Sequence, residues 1–294
     1  MQTIPVILIN RLGALGDVIL TTPIIKKIYL DHGGMCSIIV RTHWGEVFKN
    51  NPYIHKVIDG NQLVDFSKID KFINLDLSYE RNPKLHIVDA YGFFAFGNNP
   101  FDRQCELHTT KNDKESAIRF RNEIGNSYIT IHMRNTHQAN RNIPMEFWNN
   151  LIVNILDATP LSIVQIGTKT DYAFGGNERL LDIRDRFNIQ ELREVINESE
   201  LFIGIDSAPL HIAATTQTEI IAFFTSAHAK YRKPLRSLEN FTAVEPDIDC
   251  YGCQVDLPLG STLAVCRRND NECVNRFSME NTVSLIKSKC INKE

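Results

Sequence analysis

The sequence predicts an α/β protein made of two Rossmann-like, doubly wound domains that face each other across a cleft. Three observations lead to this prediction. Apolar segments typical of buried strands alternate with helical stretches, which implies parallel sheets with crossover helices. The alternation breaks at a polar segment in the middle of the chain and then restarts. The 294 residues also suffice for two domains of ordinary size.

The first α/β series starts near the N-terminus. Val6–Asn10 is a short strand of the buried type, and a glycine-containing turn follows it. Residues 18–30 carry apolar side chains at helical spacing, and residues 36–41 and 71–75 are predicted as strands. Residues 98–126 are polar and are predicted as an edge element that passes into a helix joining the domains. We therefore place the first domain at residues 1–125.

The second series occupies residues 126–275. The strands are predicted at residues 127–133, 161–166, 201–205 and 219–224, and the helices at residues 144–156, 190–199 and from about residue 209. Pro144 opens one of these helices, because proline is favoured in a first turn. Ligands of open α/β sheets bind beyond the carboxyl ends of the strands, so the loops after these strands are the candidate sites.

Composition and charge exclude several classes of protein. Hydrophobic residues make up 43% and charged residues 23% of the chain, which is typical of a soluble globular protein. The net charge is −3 with no basic domain or stripe, so nothing in it favours binding to nucleic acid. No apolar run approaches the ~20 residues that span a bilayer, and the N-terminus is typical of a strand and not of a secretion signal. We expect no transmembrane segment and a cytoplasmic location.

The turn over residues 10–18 contains Gly13 and Gly16 and leads to Asp17 at the start of the next helix. Its G-x-x-G spacing differs from the G-x-G-x-x-G fingerprint of dinucleotide-binding proteins, so a nicotinamide cofactor is not favoured. Two interpretations of Asp17 stay open. The carboxylate either caps the helix, as acids do well, or serves as a general base at the mouth of the cleft.

A second candidate loop follows strand 201–205 and contains Asp206, Ser207, Pro209 and His211. Pro209 marks the start of a helix whose first N–H groups are unpaired and partly positive, which suits a diphosphate. Ser207 adds a hydroxyl donor. The alternative is an ordinary Asp–Ser helix cap, with His211 as a packed helix residue.

A third candidate loop lies within residues 131–144 and presents Arg134 and Arg141 after a strand. Arginines are natural phosphate partners because their planar guanidinium groups match the phosphate oxygens. Solvated surface arginine is the alternative for each. His132 and His137 show no partner pattern and are interpreted as structural.

Four of the seven cysteines, Cys250, Cys253, Cys266 and Cys273, form a cluster whose spacing suits a tetrahedral metal site. Four thiolates bind either Zn or Fe, and a structural role is favoured over a catalytic one because sulfur fills every position. The alternative is four reduced, unliganded thiols. A disulfide framework is not expected in a chain with an odd number of cysteines and no export signal. The three remaining cysteines are expected to be free.

These motifs together resemble the heptosyltransferase family, glycosyltransferase family 9. R-L-G-A-L-G-D-V-I-L-T-T-P at residues 11–23 resembles the opening signature of the family. R-N-I-P at residues 141–144 stands where the family has K-x-W-P. F-I-G-I-D-S-A-P-L-H-I-A-A at residues 202–214 resembles the donor-site signature G-x-D-S-G-P-x-H-x-A-A, and I-I-A-F-F-T-S follows for the usual V-V-A-L-F-G-P-T.

The resemblance implies a GT-B fold, with the acceptor bound by residues 1–125 and the nucleotide-sugar donor bound by residues 126–275. It implies that the final helix, in residues 276–294, packs back on the first domain. It also implies inverting transfer that needs no cofactor, with Asp17 as the general base. The implied donor-site positions are Arg141, Asp206, Ser207, Ala208, Pro209, Leu210 and His211, and we add Arg134 to them on the basis of its loop.

The implied reaction moves a heptose from a donor such as ADP-heptose to a hydroxyl acceptor, here a lipopolysaccharide core sugar. The same chemistry on a protein or on a modified DNA base is an alternative, because the cysteine cluster resembles one that holds iron in family members modifying autotransporter proteins. A non-catalytic sugar-nucleotide-binding or scaffold protein is a further alternative, and a homo-oligomer is a candidate partner arrangement. Arg141 in place of Lys, Ala208 in place of Gly and Ile143 in place of Trp depart from the family pattern.

Overall fold

The computed structural model describes residues 4–134, 138–236, 239–256 and 266–291. Each half of the chain contains one parallel β-sheet with helices packed against it, a four-stranded sheet in the first half and a six-stranded sheet in the second. The two α/β domains enclose a cleft that residues of both halves line. The predicted fold class of two Rossmann-like domains is therefore confirmed.

The first sheet has the strand order β3-β2-β1-β4 and is parallel throughout. Its strands are β1 (Val6–Asn10), β2 (Ser37–Thr42), β3 (Lys56–Asp59) and β4 (Lys71–Asn74). Three of these match predicted strands. The sequence analysis missed β3, which has only four residues, lies at the edge of the sheet and has a charged, exposed residue at each end.

The helices of the first domain are α1 (Leu15–Ile19), α2 (Thr22–Asp31) and α3 (Ile87–Phe96). The single helix predicted over residues 18–30 is thus two helices. The hydroxyls of Thr21 and Thr22 donate back to the carbonyls of Val18 (2.7 Å) and Ile19 (2.9 Å), and Pro23 in the first turn of α2 has no N–H to continue the preceding helix. The break turns α1 into a short separate element that carries Asp17.

The second sheet has the strand order β10-β9-β8-β5-β6-β7, again all parallel. Its strands are β5 (Tyr128–His132), β6 (Ser162–Gln165), β7 (Leu180–Asp182), β8 (Leu201–Ile205), β9 (Glu219–Phe223) and β10 (Phe241–Val244). Every residue of β5, β6 and β8 is buried, as expected for strands covered on both faces. The predicted strands β5, β6, β8 and β9 are all present, and the two edge strands β7 and β10 were missed.

The remaining helices are α4 (Lys111–Ile124), α5 (Met145–Ala158), α6 (Ile189–Asn197), α7 (Ala208–Ala213), α8 (Ala229–Arg232) and α9 (Met279–Ile291). The helix α4 is the predicted joining helix, and it packs against α6 of the second domain. Residues 98–110, which the structure describes in full, contain no strand. The predicted edge element is therefore absent from that segment, which runs as irregular chain into the cap of α4.

The last helix, α9, packs against α5 of the second domain. Its buried Ile286 lies in the same apolar cluster as Leu151 and Ile155 of α5, and Lys289 Nζ lies 2.7 Å from Glu219 Oε1 of β9. We expected this helix to pack back on the first domain, and the structure instead places it on the second. The physical reason is that its apolar positions complete the core beside α5.

The two domains are in direct contact. The helix α1 packs against α7, and one apolar core cluster includes buried residues from both halves. Gln190 Nε2 at the start of α6 donates to the Glu46 carbonyl at 2.8 Å, and the His86 ring hydrogen-bonds through Nε2 to the Lys233 carbonyl at 2.9 Å. These contacts bring the carboxyl ends of the two sheets toward the same cleft. None of the helices in the described segments is long and apolar enough to cross a bilayer.

Candidate active site

The cleft between the domains is a cavity of about 340 Å³. The first domain contributes α1 and the loops after β2 and β4, and the second contributes the loops after β5, β6 and β8 together with α7 and α8. The cavity is lined both by the predicted catalytic carboxylate and by the predicted donor-binding residues. Asp17 lies on the first-domain side, and Arg134, Arg141, Asp206, Ser207, Ala208, Pro209 and His211 lie on the other side.

Asp17 sits in the first turn of α1, and two side chains of the first domain hold its carboxylate. Arg11 Nη2 donates to Asp17 Oδ2 at 2.5 Å, and the Tyr79 hydroxyl donates to the same oxygen at 3.3 Å. The Ala14 N–H donates to Oδ2 as well, at 3.4 Å. All three donors converge on Oδ2, so the carboxylate has a fixed orientation and Oδ1 is the oxygen left for a substrate. The hydrogen bond from the Ala14 N–H agrees with the helix-cap interpretation, and the general-base interpretation stays a prediction.

Glycine is required at position 16 because the second domain lies close to the backbone there. A Cβ atom at this position would lie 2.7 Å from His211 Cδ2 and 3.4 Å from the Ala208 Cα atom in α7. A larger residue there would require the buried His211 side chain to move. The glycine therefore allows the turn that carries Asp17 to lie close against α7.

Ser207 does not cap α7, although it occupies the N-cap position. Its Oγ lies 3.0 Å from His132 Nδ1 and 3.2 Å from the Ile205 carbonyl. His132 Nε2 in turn faces Asp171 Oδ2 at 3.7 Å. With the proton on Nε2, which faces Asp171, His132 Nδ1 is an acceptor, and the Ser207 hydroxyl donates to it or to the Ile205 carbonyl. The ordinary-cap alternative for Ser207 is therefore wrong.

Asp171 completes this chain of polar contacts behind Ser207. Burial raises the pKa of Asp171, but the hydrogen bonds from His132 and from the Thr168 N–H outweigh burial and keep the pKa below its ordinary value. The carboxylate is thus charged at neutral pH and orients His132. Sequence reasoning had left His132 as structural because its partner is 75 positions away and Asp171 lies on a different loop.

Arg141 lies between the loop after β5 and the loop after β8. Its Nη1 lies 2.9 Å from Asp206 Oδ2, and its Nη2 donates to Gln254 Oε1 at 3.1 Å. The side chain is largely buried, and its Nε has no hydrogen-bond partner among the described residues. Two contacts therefore hold the guanidinium in place at the wall of the cleft, where an anionic ligand can reach it.

Arg134 also lines the cleft, donates to the Thr170 carbonyl and lies 4.9 Å from the Tyr172 ring centroid. The helix α7 has only six residues, so its dipole attracts a phosphate less than a full helix does. Positive charge at this end of the cleft comes mainly from arginine side chains. Leu210 does not line the cleft, because its side chain is fully buried in the core. Its predicted donor-site role is corrected to packing.

Sequence reasoning missed three aromatic or cationic residues of the cleft. Trp44 and Tyr79 come from the first domain, and Arg232 comes from α8. The Arg232 guanidinium carbon lies 4.7 Å from the Tyr79 ring centroid. None of the three belongs to a recognisable sequence motif, and only the packing of the two domains brings Arg232 beside Tyr79.

The four cysteines of the cluster line one small cavity of about 10 Å³, which is room for about one small atom. All four are free thiols. Burial, reinforced by the neighbouring cysteines, raises the pKa of Cys273 to about 11. Within the described segments, however, no group of three or more His, Cys, Asp or Glu side chains has an arrangement that holds a metal ion. The four thiols suit a soft metal by their chemistry, and their arrangement does not by itself support the predicted metal site.

The cleft and the two parallel-sheet domains define a class of protein, the GT-B-like glycosyltransferases. A family model for glycosyltransferase family 9 (heptosyltransferase) matches residues 81–257, which is more than half of the chain. The chain therefore belongs to glycosyltransferase family 9, and it is a glycosyltransferase. No curated protein sequence is significantly similar to the chain.

Three solved structures share the fold. The glycosyl transferase family 9 protein from Veillonella parvula DSM 2008 superposes with a TM-score of 0.75 at 14% identity, covering 100% of this chain and 99% of that one. The iron-containing dodecameric glycosyltransferase TibC from enterotoxigenic E. coli H10407 gives 0.73 at 14% identity, covering 97% and 76%. The E. coli ADP-heptose lps heptosyltransferase II gives 0.71 at 10% identity, covering 98% and 99%. TibC has also been solved with ADP-D-beta-D-heptose.

Proposed function

We propose that this protein transfers a heptose from an ADP-heptose donor to a hydroxyl acceptor, with inversion at the anomeric carbon. The observation that carries the proposal is the meeting of Asp17 with Arg141 and Ser207 in one cleft formed by two domains. A base on one side and phosphate-binding groups on the other are the two parts that a single displacement at a sugar carbon needs. The family and the ADP-D-beta-D-heptose complex of TibC support this choice of donor.

The donor lies against the second domain in this proposal. Arg141 and Arg134 contact the diphosphate, and the Ser207 hydroxyl rotates from His132 Nδ1 to donate to a phosphate oxygen. Phe187, Ile189 and Leu192 also line the cleft and offer an apolar surface for the nucleobase. Because the guanidinium groups are held in place before the ligand arrives, little ordering is required when the diphosphate binds.

The transfer step follows from this placement. An acceptor hydroxyl hydrogen-bonded to Asp17 Oδ1 attacks the anomeric carbon and loses its proton to the carboxylate. The carbon–oxygen bond to the diphosphate breaks, and its electron pair stays on the departing nucleoside diphosphate. The positive charges of Arg141 and Arg134 stabilise the negative charge that develops there. Asp17 then returns its proton to solvent, and no cofactor enters the step.

We propose a lipopolysaccharide core sugar as the acceptor, which the name of the E. coli heptosyltransferase II supports. A protein acceptor is the second candidate, favoured by the cysteine cavity together with the likeness to iron-containing TibC. A modified DNA base and a non-catalytic binding function have no observation in their favour. The presence of a held carboxylate at Asp17 favours an enzyme over a mere binder.

Nucleotide release with a donor panel tests this function. ADP-heptose, ADP-glucose, a UDP-sugar and a GDP-sugar are each incubated with core oligosaccharide and with a protein acceptor. We expect acceptor-dependent release of ADP from ADP-heptose and its loss in Asp17→Asn. The matched control is Asp31→Asn, an exposed carboxylate that pairs with Lys27 on the surface of α2 and leaves the cleft intact. Release from none of the four donors would contradict the proposal.

We further propose that Cys250, Cys253, Cys266 and Cys273 hold one structural Zn or Fe ion. The support is that all four line a single cavity with room for one atom. Four thiolates around one metal would link the chain on both sides of residues 257–265, which lie outside the described residues. Cys273→Ser should lower both metal content and the unfolding temperature, and Cys36→Ser, at a cysteine outside the cluster, should not change metal content. Fully active, well-folded protein that contains no metal by elemental analysis would refute this idea.

A homo-oligomer also stays a prediction, since TibC is dodecameric. Light scattering of the purified chain measures its mass in solution.

A further inference from the structure

Arg232 is a buried cation with no carboxylate partner among the residues that the structure describes. Its side chain in α8 is 7% exposed and lines the cleft. One face of its guanidinium lies against the Tyr79 ring, 4.7 Å from the centroid. Across the segments that the structure describes, Arg232 forms no ion pair with a carboxylate. A charge removed from water without a partner is strongly disfavoured, and an aromatic face compensates only part of that cost.

The two other arginines that are buried to this degree are both paired. Arg11 is 4% exposed and contacts Asp17 at 2.5 Å, and Arg184 is 8% exposed and contacts Asp182 at 2.7 Å. Neither Arg11 nor Arg184 is among the residues that line the cleft. Arg232 differs because its open side is the cleft.

A second polar group beside Arg232 also lacks a partner. His211 is 5% exposed and lines the same cleft, and its Nδ1 has no hydrogen-bond partner among the described residues. Burial lowers the pKa of His211, so the ring is neutral at neutral pH and can donate one hydrogen bond. Among the described residues, Arg232 has no carboxylate partner and His211 Nδ1 has no hydrogen-bond partner, and both residues line the same cavity, so one ligand group can bond to both.

We propose that Arg232 binds a carboxylate or phosphate group of the acceptor, next to the hydroxyl that Asp17 deprotonates. This inference rests on the proposed function. The ring that covers Arg232 belongs to Tyr79, whose hydroxyl donates to Asp17 Oδ2 at 3.3 Å. An anion on Arg232 therefore lies close to the base, where the acceptor oxygen must sit. The donor diphosphate has Arg141, Arg134 and Ser207 on the second-domain wall, so Arg232 is the cation left for the acceptor.

The arginine fork contributes specificity as well as charge. A planar guanidinium accepts a carboxylate or phosphate in two parallel hydrogen bonds, which fixes the orientation of the group that carries the anion. A neutral acceptor would leave the buried charge unsatisfied and would bind less well. Arg232 thus selects acidic acceptors over neutral ones of the same shape.

Binding of simple acidic sugars tests the proposal without knowledge of the natural acceptor. The probes are glucuronate and glucose 6-phosphate, with glucose as the neutral counterpart and ADP as the donor-side ligand, titrated by the fluorescence of Trp44. We expect the wild type to bind at least one acidic probe ~10-fold or more tightly than glucose, and Arg232→Gln to abolish that difference. ADP affinity should stay unchanged in Arg232→Gln and fall in Arg141→Ala.

The outcomes separate the possible errors. If Arg232→Gln weakens ADP as much as the acidic sugars, the anion belongs to the donor and the acceptor assignment is overturned. If the wild type shows no preference for acidic over neutral sugars, the proposal is also overturned. Failure of the proposed transferase function would instead appear as absence of nucleotide release from every donor, irrespective of how these sugars bind.

Thermal unfolding gives an independent test, because loss of a ligand-binding arginine and loss of a structural arginine should change the unfolding temperature in opposite directions. Removing an unpaired buried charge should stabilise the ligand-free protein, so Arg232→Met should raise the unfolding temperature by about 2 °C or more. The matched change Arg184→Met, which removes a paired arginine, should lower it. A fall in Arg232→Met comparable to that in Arg184→Met would show that Arg232 serves packing and would refute the ligand role.

Discussion

Replacing Asp17 by Asn separates its catalytic role from its structural one. Asn keeps the shape of the side chain, and its amide oxygen can still accept from Arg11 and Tyr79, but it cannot take up a proton. We expect turnover to fall by ~10²-fold or more, which corresponds to ~2.7 kcal/mol or more of the activation barrier. Affinity for ADP should barely change, because the proposed diphosphate contacts lie on the other wall of the cleft.

The cost of Asp17→Asn to folding follows from the partners of Arg11. Breaking a buried ion pair by removal of one partner usually costs about 3–5 kcal/mol. Here Arg11 Nη2 keeps Glu80 Oε1 at 3.6 Å, Nη1 keeps Asp76 Oδ1 at 3.8 Å, and the new amide oxygen still accepts a hydrogen bond. We therefore expect a loss of about 1 kcal/mol, or about 2–4 °C in the unfolding temperature.

Two measurements check this prediction. Turnover is measured by ADP release in a single-turnover experiment, so that chemistry and not product release limits the rate. Thermal unfolding by circular dichroism shows that the variant is folded. A folded Asp17→Asn variant with near-normal single-turnover rate would refute the assignment of Asp17 as the base.

Three further perturbations follow from the same geometry. Arg141→Ala should weaken both ADP and donor by ~1.5–3 kcal/mol in calorimetric titration and leave adenosine binding unchanged; equal losses for adenosine would point to misfolding. His132→Ala and Ser207→Ala should each weaken ADP binding by about 1 kcal/mol. The double variant should bind ADP no more weakly than either single variant, because the two side chains act as one unit. Additive losses would show that His132 and Ser207 act independently. Burial lowers the pKa of His86 to about 4 from its ordinary 6.5, so the unfolded chain binds the proton first and stability should fall as pH drops from about 6.5 toward 4. His86→Gln should flatten this dependence in thermal unfolding, and an unchanged acid sensitivity would show that other groups cause it.

The sequence predicts the centre of each sheet well and the edges poorly. Strands β1, β5 and β8 are mainly apolar segments whose residues are buried almost throughout, so their pattern predicts buried strands. Strands β3, β7 and β10 have three or four residues and no fully buried run. Their sequences therefore show no apolar pattern that would predict a strand. Helix α3 was missed because it is apolar on most of its faces and lacks helical periodicity.

The candidate site was predicted where a loop follows a strand and not where packing alone creates a contact. Asp17, Arg141 and Ser207 follow the carboxyl ends of β1, β5 and β8, and all three line the cleft. Arg232 and Tyr79 lie more than 150 positions apart, so only the packing of the two domains brings them together. The contacts of His132 likewise form only in the folded chain, where the loops that carry Ser207 and Asp171 approach it.

Transfer of the sugar itself tests the central claim most directly. The wild type is incubated with ADP-D-beta-D-heptose and core oligosaccharide, and the product is analysed by mass spectrometry and by the NMR signal of its anomeric proton. A single displacement driven by Asp17 predicts one added heptose with inverted, α configuration, and no product with Asp17→Asn. A product with retained configuration, or the same product from the Asp17→Asn variant, would contradict the account.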